Sequence, residues 1–249
     1  MTLRAPQPGR AFSFEKAMIE QTPDIVIVAN GVLADPEQLR TLVAGAQTVI
    51  AADGGGAHLH ALGLRADWLI GDFDSLAPEI LAAFERTGSR IERHPPGKDA
   101  TDLELALDLA RRLGGTRIRI LAALGGRLDQ TLGNLLLMAQ ATASGLDLAL
   151  SNGPETIRVL RGPGRLVLAG APGDTVSLLP IGGDAIDVTL TGLAYPLTNA
   201  RLPFGTSRGI SNVMAARAAT IALDAGALVI VHTSMDNPTA NADTTEVEG

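Results

Sequence analysis

The sequence predicts an α/β fold, in which a domain with a parallel sheet is followed by a smaller antiparallel β domain. Before about Asn152, short apolar runs alternate with segments of helical character, which is typical of a parallel sheet covered by helices. After Asn152, Gly-Pro pairs separate short apolar runs and helical periodicity is weak, which favours antiparallel strands.

The strands of the first part are predicted from short apolar runs, several of them rich in β-branched residues. Runs of this kind suit strands that are buried on both faces. We predict such strands over Asp24–Ala29, Thr48–Ala52, Trp68–Ile70, Arg90–Arg93, Ile118–Ala123 and Leu146–Ser151.

Helices are predicted between these strands. The clearest begins after Thr101, because Thr101 and Glu104 have the spacing of a capping box, and Gly114 ends it. Pro36 suits the first turn of an earlier helix. The other helices are predicted over Pro36–Val43, His58–Leu62, Pro78–Arg86 and Leu128–Ala143.

The second part is divided less clearly. Apolar runs predict strands over Thr156–Leu160, Arg165–Ala169 and Thr175–Leu179, whereas Ser211–Leu223 is compatible with helix or strand. We therefore expect a Rossmann-like α/β domain over residues 1–152, with a loose N-terminal arm over 1–22. The antiparallel β domain covers 153–232, and a disordered polar tail covers 233–249.

Composition excludes several classes of function. The chain has 249 residues with 27 acidic and 20 basic side chains, so its net charge of −7 argues against a nucleic-acid partner. The absence of cysteine excludes disulfides, thiol nucleophiles and Cys-ligated metals. No secretory signal and no apolar run long enough to span a membrane is present, so we expect a cytoplasmic protein with no membrane partner.

Six aspartates occur where the predicted strands and loops of the first part meet helices. Ligands of open α/β sheets bind outside the carboxyl ends of the strands, so these side chains can converge on one edge. They are Asp53, Asp72, Asp74, Asp99, Asp102 and Asp129.

Clustered carboxylates repel one another unless a cation lies between them. Mg²⁺ prefers oxygen ligands and is often shared with substrate phosphates. Gly54–Gly56 and Gly125–Gly126 allow the backbone to approach phosphate oxygens, and Lys98 and Arg127 can neutralise their charge. The pattern predicts a magnesium–nucleotide site, although Asp99 or Thr101 can also serve only to cap the following helix. Neither the P-loop signature nor GxGxxG occurs.

Several motifs, in this order, resemble those of the thiamine pyrophosphokinase family, which transfers a pyrophosphoryl group from ATP to the hydroxyethyl group of thiamine. The resemblance implies an α/β catalytic domain, a C-terminal antiparallel β-sandwich that binds thiamine and dimerises, and a homodimer with its active site near the interface. The motifs are ADGGG (Ala52–Gly56), LIGDFDS (Leu69–Ser75), KDATDLELAL (Lys98–Leu107), GGRLDQTLGN (Gly125–Asn134) and GLAYPLTNARLPFGTSRGISN (Gly192–Asn212).

The resemblance also implies roles for individual residues. The Mg²⁺ ligands would be Asp72, Asp74 and Asp102. Contacts to ATP would come from Asp53, Gly54, Gly55, Lys98, Asp99, Thr101 and Arg127. Contacts to thiamine would come from Asp129, Gln130, Asn134, Ser211 and Asn212, the last two across the dimer. The catalytic set would be Asp72, Asp74, Asp102, Asp129 and Arg127, with Asp102 or Asp129 as candidates to accept the hydroxyl proton.

Two positions depart from the family pattern. Gln130 stands where many bacterial members have His, and Val213 where many have Glu. Two other functions remain as alternatives: transfer of pyrophosphate to another hydroxymethyl heterocycle such as a pterin, and a non-enzymatic nucleotide-binding module.

Overall fold

The computed structural model describes residues 23–235. The predicted N-terminal arm, residues 1–22, and residues 236–249 of the predicted tail lie outside the described residues. In the part that is described, no helix is both long and apolar enough to cross a bilayer. The cytoplasmic setting stays a prediction.

The first part of the chain alternates strands and helices as predicted. Its strands are β1 (Ile25–Val28), β2 (Thr48–Ala52), β3 (Trp68–Gly71), β4 (Arg90–Arg93), β5 (Arg117–Leu121) and β6 (Asp147–Asn152). Its helices are α1 (Pro36–Gly45), α2 (Gly55–Ala61), α3 (Pro78–Arg86), α4 (Asp102–Arg112) and α5 (Leu128–Ala143). The strands pair in parallel in the order β6-β5-β1-β2-β3-β4, which confirms the predicted parallel sheet.

Local sequence explains where the helices begin. Asp35 accepts hydrogen bonds from the backbone N–H groups of the first turn of α1. The Thr101 hydroxyl accepts from the Glu104 N–H at 3.2 Å, as its place before α4 predicted. Helix α2 begins at Gly55, before the predicted start at His58. A side chain at position 55 would meet the Val28 carbonyl oxygen 2.0 Å away, so only glycine fits there. Glycine therefore lets α2 start directly beneath the edge of the sheet.

The second part is antiparallel. Its strands are β7 (Glu155–Arg161), β8 (Gly164–Ala169), β9 (Thr175–Pro180), β10 (Ala185–Thr191), β11 (Leu197–Leu202), β12 (Asn212–Val213), β13 (Ala218–Leu223) and β14 (Ala227–Thr233). Strands β7, β14, β9 and β12 extend the parallel sheet to ten strands, and β11-β10-β13-β8 form a second sheet. Apolar side chains of both sheets, such as Leu178 and Ile221, share one buried core, which confirms the β-sandwich.

The two parts are joined by a continuous sheet. Strand β6 pairs antiparallel with β7, where Leu150 faces Ile157. The ambiguous segment 211–223 contains strands β12 and β13 and no helix. Thr233 still pairs with Thr175 and Glu155, so the sheet extends into the first residue of the predicted tail. The division of the chain at residue 152 stays a prediction.

Candidate active site

A cavity of about 700 Å³ lies at the carboxyl ends of the parallel strands. Its walls come from the segments that follow β1, β2, β3 and β5 and from the start of α4, as expected for an open α/β sheet. The residues predicted from sequence that line it are Asp53, Asp72, Asp74, Lys98, Thr101, Asp102, Arg127, Gln130 and Asn134.

Asp53 is the most buried carboxylate of the cavity. It directly follows β2 with a φ of 45°, and only 4% of its surface is exposed. Burial raises its pKa, although hydrogen bonds from the Gly54 N–H and Ser75 act in the opposite direction. Its Oδ1 atom is buried and accepts no hydrogen bond from any described residue. A buried carboxylate oxygen without a hydrogen-bond donor favours binding of a cation.

Asp72 and Asp74 come from the loop after β3. The Asp74 N–H donates to Asp72 Oδ1 at 3.2 Å, and the Ser75 hydroxyl donates to Asp74 Oδ1 at 2.9 Å. One oxygen atom each of Asp53, Asp72 and Asp74 lies within 4.8 Å of the others. Three carboxylates at this separation, one of them with an unpartnered buried oxygen, match the donor set of a hard divalent cation such as Mg²⁺.

Lys98 bridges two of the predicted ligands. Its Nζ atom lies 2.9 Å from Asp72 Oδ2 and 2.8 Å from Asp102 Oδ1. Burial disfavours the charged lysine, but the two carboxylates outweigh it and hold the pKa of Lys98 above its usual value. The hydrogen bond from Lys98 in turn lowers the pKa of Asp72. Lys98 is therefore a fixed positive charge at the wall of the cavity.

The structure adds Asp53 to the predicted carboxylate group. The sequence placed Asp102 among the metal ligands and Asp53 beside them. Asp53 lies with Asp72 and Asp74, and Asp102 at the first turn of α4 adjoins them and pairs with Lys98, four residues before it. Which of these carboxylates bind the metal stays a prediction. The short loop that precedes α4 brings Lys98 back over that first turn.

Arg127 and Asp129 form an exposed ion pair. Arg127 Nε lies 3.1 Å from Asp129 Oδ1, and the side chains are 73% and 64% exposed. Arg127 lines the cavity, whereas Asp129 is not among the lining residues of the described chain. The Arg127 guanidinium lowers the pKa of Asp129, and a carboxylate with a lowered pKa is a weak base.

Other predicted site residues stand outside the lining that the described chain forms: Gly54, Gly55, Asp99, Ser211 and Asn212. A side chain at position 54 would meet the Asn30 side chain at 2.3 Å, so Gly54 and Gly55 serve close packing under the cavity wall. Strands β12 and β4 are the two edges of the ten-stranded sheet, so Ser211 and Asn212 lie far along that sheet from the carboxylates of the same chain.

The side chain of Asn212 is hydrogen-bonded to the backbone of its own chain. It is 6% exposed, its Oδ1 accepts from the N–H groups of Tyr195 and Val213, and its Nδ2 donates to the Tyr195 carbonyl. Asn134 is similarly buried and donates to the Ala123 carbonyl at 2.7 Å, which fixes the start of the loop between β5 and α5. Asn134 therefore holds backbone beside the cavity, whereas Asn212 holds backbone of the sandwich.

Sequence reasoning missed the wall that follows β1. Asn30, Gly31 and Val32 line the cavity. The Gly31 N–H donates to the Ala122 carbonyl at 2.6 Å, and the His58 ring lies 2.9 Å from the Gly31 carbonyl. The Asn-Gly pair directly after a predicted strand was the signal that could have found this turn.

Comparison with known proteins points in one direction. Two family models match: the catalytic domain of thiamin pyrophosphokinase over residues 39–150 and its vitamin B1 binding domain over residues 156–228. The thiamine pyrophosphokinase of Bacillus subtilis (strain 168) is 28% identical over 186 residues, covering 74% of this chain and 86% of that one. Thiamine pyrophosphokinase 2 of Oryza sativa subsp. japonica is 26% identical over 167 residues, covering 64% and 62%.

Solved structures agree with the sequence matches. The crystal structure of the Bacillus subtilis thiamine pyrophosphokinase superposes with a TM-score of 0.76 at 28% identity, covering 84% of this chain and 98% of that one. The enzyme of Geobacillus thermodenitrificans gives 0.73 at 27%, covering 85% and 98%. The yeast protein gives 0.71 at 15% identity, covering 90% of each chain, which shows the shared fold. The chain belongs to the thiamine pyrophosphokinase family.

Proposed function

We propose that this chain transfers the pyrophosphoryl group of MgATP to the hydroxyethyl group of thiamine and releases thiamine diphosphate and AMP, the reaction of EC 2.7.6.2. The observation that carries the proposal is a cavity that combines three clustered carboxylates with the fixed charge of Lys98. Family membership of both halves of the chain supports the identity of donor and acceptor. No observation favours the pterin or non-enzymatic alternatives.

Asp53, Asp72 and Asp74 are the residues that would hold Mg²⁺, with Asp102 close by. The bound ion would neutralise charge that develops on the phosphate oxygens.

The remaining residues position the reactants. Lys98 and Arg127 carry positive charge at the cavity, where they can orient the triphosphate and stabilise the negative charge of the transition state. The thiamine hydroxyl oxygen forms a bond to the β-phosphorus, the bond from that phosphorus to the oxygen bridging the α-phosphate breaks, and AMP leaves with that oxygen. Asp102 and Asp129 are the two candidates to take the hydroxyl proton, and each is ion-paired with a basic side chain, Asp102 with Lys98 and Asp129 with Arg127.

The thiamine side of the site is completed, in this proposal, by a second copy of the chain. Ser211 and Asn212 lie on the sandwich and away from the cavity of their own chain. A homodimer that places the sandwich of one copy beside the cavity of the other would bring Ser211 to the acceptor.

Two exposed apolar faces suit such a dimer. Helix α5, which begins beside the cavity, exposes three leucines at a spacing of four residues: Leu128, Leu132 and Leu136, at 72%, 53% and 60%. The sandwich exposes Tyr195, Phe204 and Ile210 at 68%, 63% and 47%. Apolar surface of this kind is typical of a protein–protein interface.

Acceptor profiling tests the proposal. The protein is incubated with ATP and Mg²⁺ alone, with thiamine, or with a hydroxymethylpterin, and AMP is measured. AMP that depends on thiamine supports the proposal. AMP that depends on the pterin supports the alternative transferase, and ATP binding without AMP in any arm supports the non-enzymatic alternative.

A further inference from the structure

Asp72 and Asp74, two of the proposed metal ligands, are separated by a residue in an unusual backbone conformation. Phe73 lies between Asp72 and Asp74 and has a φ of 62°. A bulky residue in the left-handed region is uncommon and persists only where its surroundings hold it. The directions of both carboxylates depend on the backbone angles of this residue.

Arg93, the last residue of β4, makes two contacts with this loop. Its guanidinium carbon lies 4.9 Å from the centroid of the Phe73 ring, and its Nη1 donates to the Asp72 carbonyl at 3.2 Å. The first is a cation–π contact, and the second fixes the backbone immediately before Phe73. Phe73 is also only 8% exposed and packs in an apolar core with Leu69 and Leu76.

The strand that carries Arg93 is itself fixed on both sides. The His94 N–H donates to the Gly71 carbonyl at 2.9 Å, and Glu92 accepts two hydrogen bonds from Arg112 of α4 at 2.7 and 2.9 Å. Arg93 therefore projects from a rigid support onto the loop between Asp72 and Asp74. Among the described residues it stands outside the cavity lining.

We infer that Arg93 is a positioning residue that keeps Asp72 and Asp74 in their metal-binding arrangement by clamping the left-handed Phe73 between its guanidinium and the core. This inference rests on the metal site of the proposed function. Arg93 acts through the loop and contacts neither metal nor substrate.

The strand offers a matched control. Arg90, the first residue of β4, has its guanidinium carbon 5.1 Å from the centroid of the Trp68 ring. Arg90→Ala thus removes a similar cation–π contact from the same strand, but at the end away from the carboxylates.

The test measures the dissociation constant of Mn²⁺ for the wild-type chain and for Arg93→Ala, Arg93→Lys and Arg90→Ala. We expect a dissociation constant about 10-fold higher in Arg93→Ala, as is usual when a support of a metal ligand is removed. Arg93→Lys keeps a cation over the ring and should recover part of the affinity, whereas Arg90→Ala should match wild type. The Mg²⁺ concentration for half-maximal AMP formation should rise with the Mn²⁺ constant, while the rate at saturating Mg²⁺ stays close to wild type.

Charge alone predicts the opposite sign, because removal of a nearby positive charge strengthens binding of a cation. An unchanged or lower constant in Arg93→Ala, or an equal rise in Arg90→Ala, would overturn the inference. Thermal unfolding shows which variants are folded at the assay temperature. If Arg93→Ala is unfolded there, the test rests on Arg93→Lys, and a dissociation constant for Mn²⁺ equal to that of wild type in this variant would overturn the inference. Failure of wild type to bind Mn²⁺ would refute the metal site itself, and Mn²⁺ binding without thiamine-dependent AMP would refute only the reaction.

Discussion

The Nζ atom of Lys98 lies 2.9 Å from Oδ2 of Asp72 and 2.8 Å from Oδ1 of Asp102, so one lysine joins two of the carboxylates that the proposed function places at the metal site. Lys98 lowers the pKa of Asp72, and in the proposed function it has a second role as a positive charge available to phosphate oxygens.

Substitution of Lys98 separates these roles from simple packing. Lys98→Met keeps the length of the side chain but leaves Asp72 and Asp102 without their cation, so we expect kcat/KM for ATP to fall by about 100-fold or more, as when one stabilising group of a transition state is lost. Lys98→Arg keeps the charge and should retain part of the activity. Steady-state kinetics at saturating thiamine measure both. A Lys98→Met enzyme as active as wild type would contradict the role of the charge.

The buried charge of Asp53 should lower the stability of the folded chain in the absence of the proposed metal ion. Burial raises the pKa of Asp53, so the folded state binds more protons than the unfolded state between the unfolded pKa of about 3.8 and the higher folded pKa. Stability is therefore lost as the pH rises through this window. Asp53→Asn should therefore unfold no more easily than wild type at neutral pH without divalent cations. Its dissociation constant for Mn²⁺ should rise about 10-fold or more. Thermal unfolding without divalent cations measures the first effect and titration with Mn²⁺ the second. Mg²⁺ should strongly stabilise wild type but not Asp53→Asn against thermal unfolding. A variant that Mg²⁺ stabilises as much as wild type would remove Asp53 from the ligand set.

Asp24 predicts a pH dependence that is independent of the cavity. It precedes β1 and accepts hydrogen bonds from Thr116 and Arg117 at the start of β5, and Arg117 in particular lowers its pKa. The folded state therefore binds fewer protons than the unfolded state, so this stabilisation is complete above the unfolded pKa and is lost as the pH falls through the folded one.

The change that tests this is Asp24→Asn. At pH 7 we expect it to lower the free energy of unfolding by about 2 kcal/mol, the usual worth of hydrogen bonds to a charged group. Denaturant unfolding between neutral and acidic pH measures the difference from wild type, which should shrink below the unfolded pKa. A difference that stays constant with pH would contradict this explanation.

The proposed dimer predicts that one substitution in its interface removes both dimerisation and thiamine-dependent AMP formation. Leu132→Glu places a charge in the exposed leucine row of α5, so it should shift the chain from dimer to monomer and abolish most thiamine-dependent AMP formation. Leu113, 40% exposed at the end of α4, supplies the control, and Leu113→Glu should change neither property. Sedimentation velocity and the AMP assay measure them. A fully active monomer would show that each chain contains a complete site.

Much of the parallel sheet, and of the site at the carboxyl ends of its strands, could be predicted from sequence because the signals are local. Short β-branched runs gave the parallel strands, and Asp72 and Asp74 directly follow one of them. Thr101 capped α4 as its spacing with Glu104 predicted. Such features depend on the periodicity and capping of a few neighbouring residues.

The grouping of the acids could not be predicted in the same way. Asp53, and Phe73 between Asp72 and Asp74, both adopt left-handed conformations, which are uncommon for residues other than glycine. The inward amide of Asn212 and the continuation of the parallel sheet into β7 likewise depend on contacts between distant segments. The sequence carries no local signal for these arrangements.

The identity of the nucleotide product tests the central claim most directly. Phosphorus NMR of the chain with ATP, Mg²⁺ and thiamine should show AMP and thiamine diphosphate forming in equal amounts. Asp72→Asn should stop this reaction with little loss of fold, while Asp108→Asn, a change of an exposed acid on α4, should leave it intact. ADP in place of AMP, or undiminished turnover in Asp72→Asn, would contradict transfer of a pyrophosphoryl group at this carboxylate cluster.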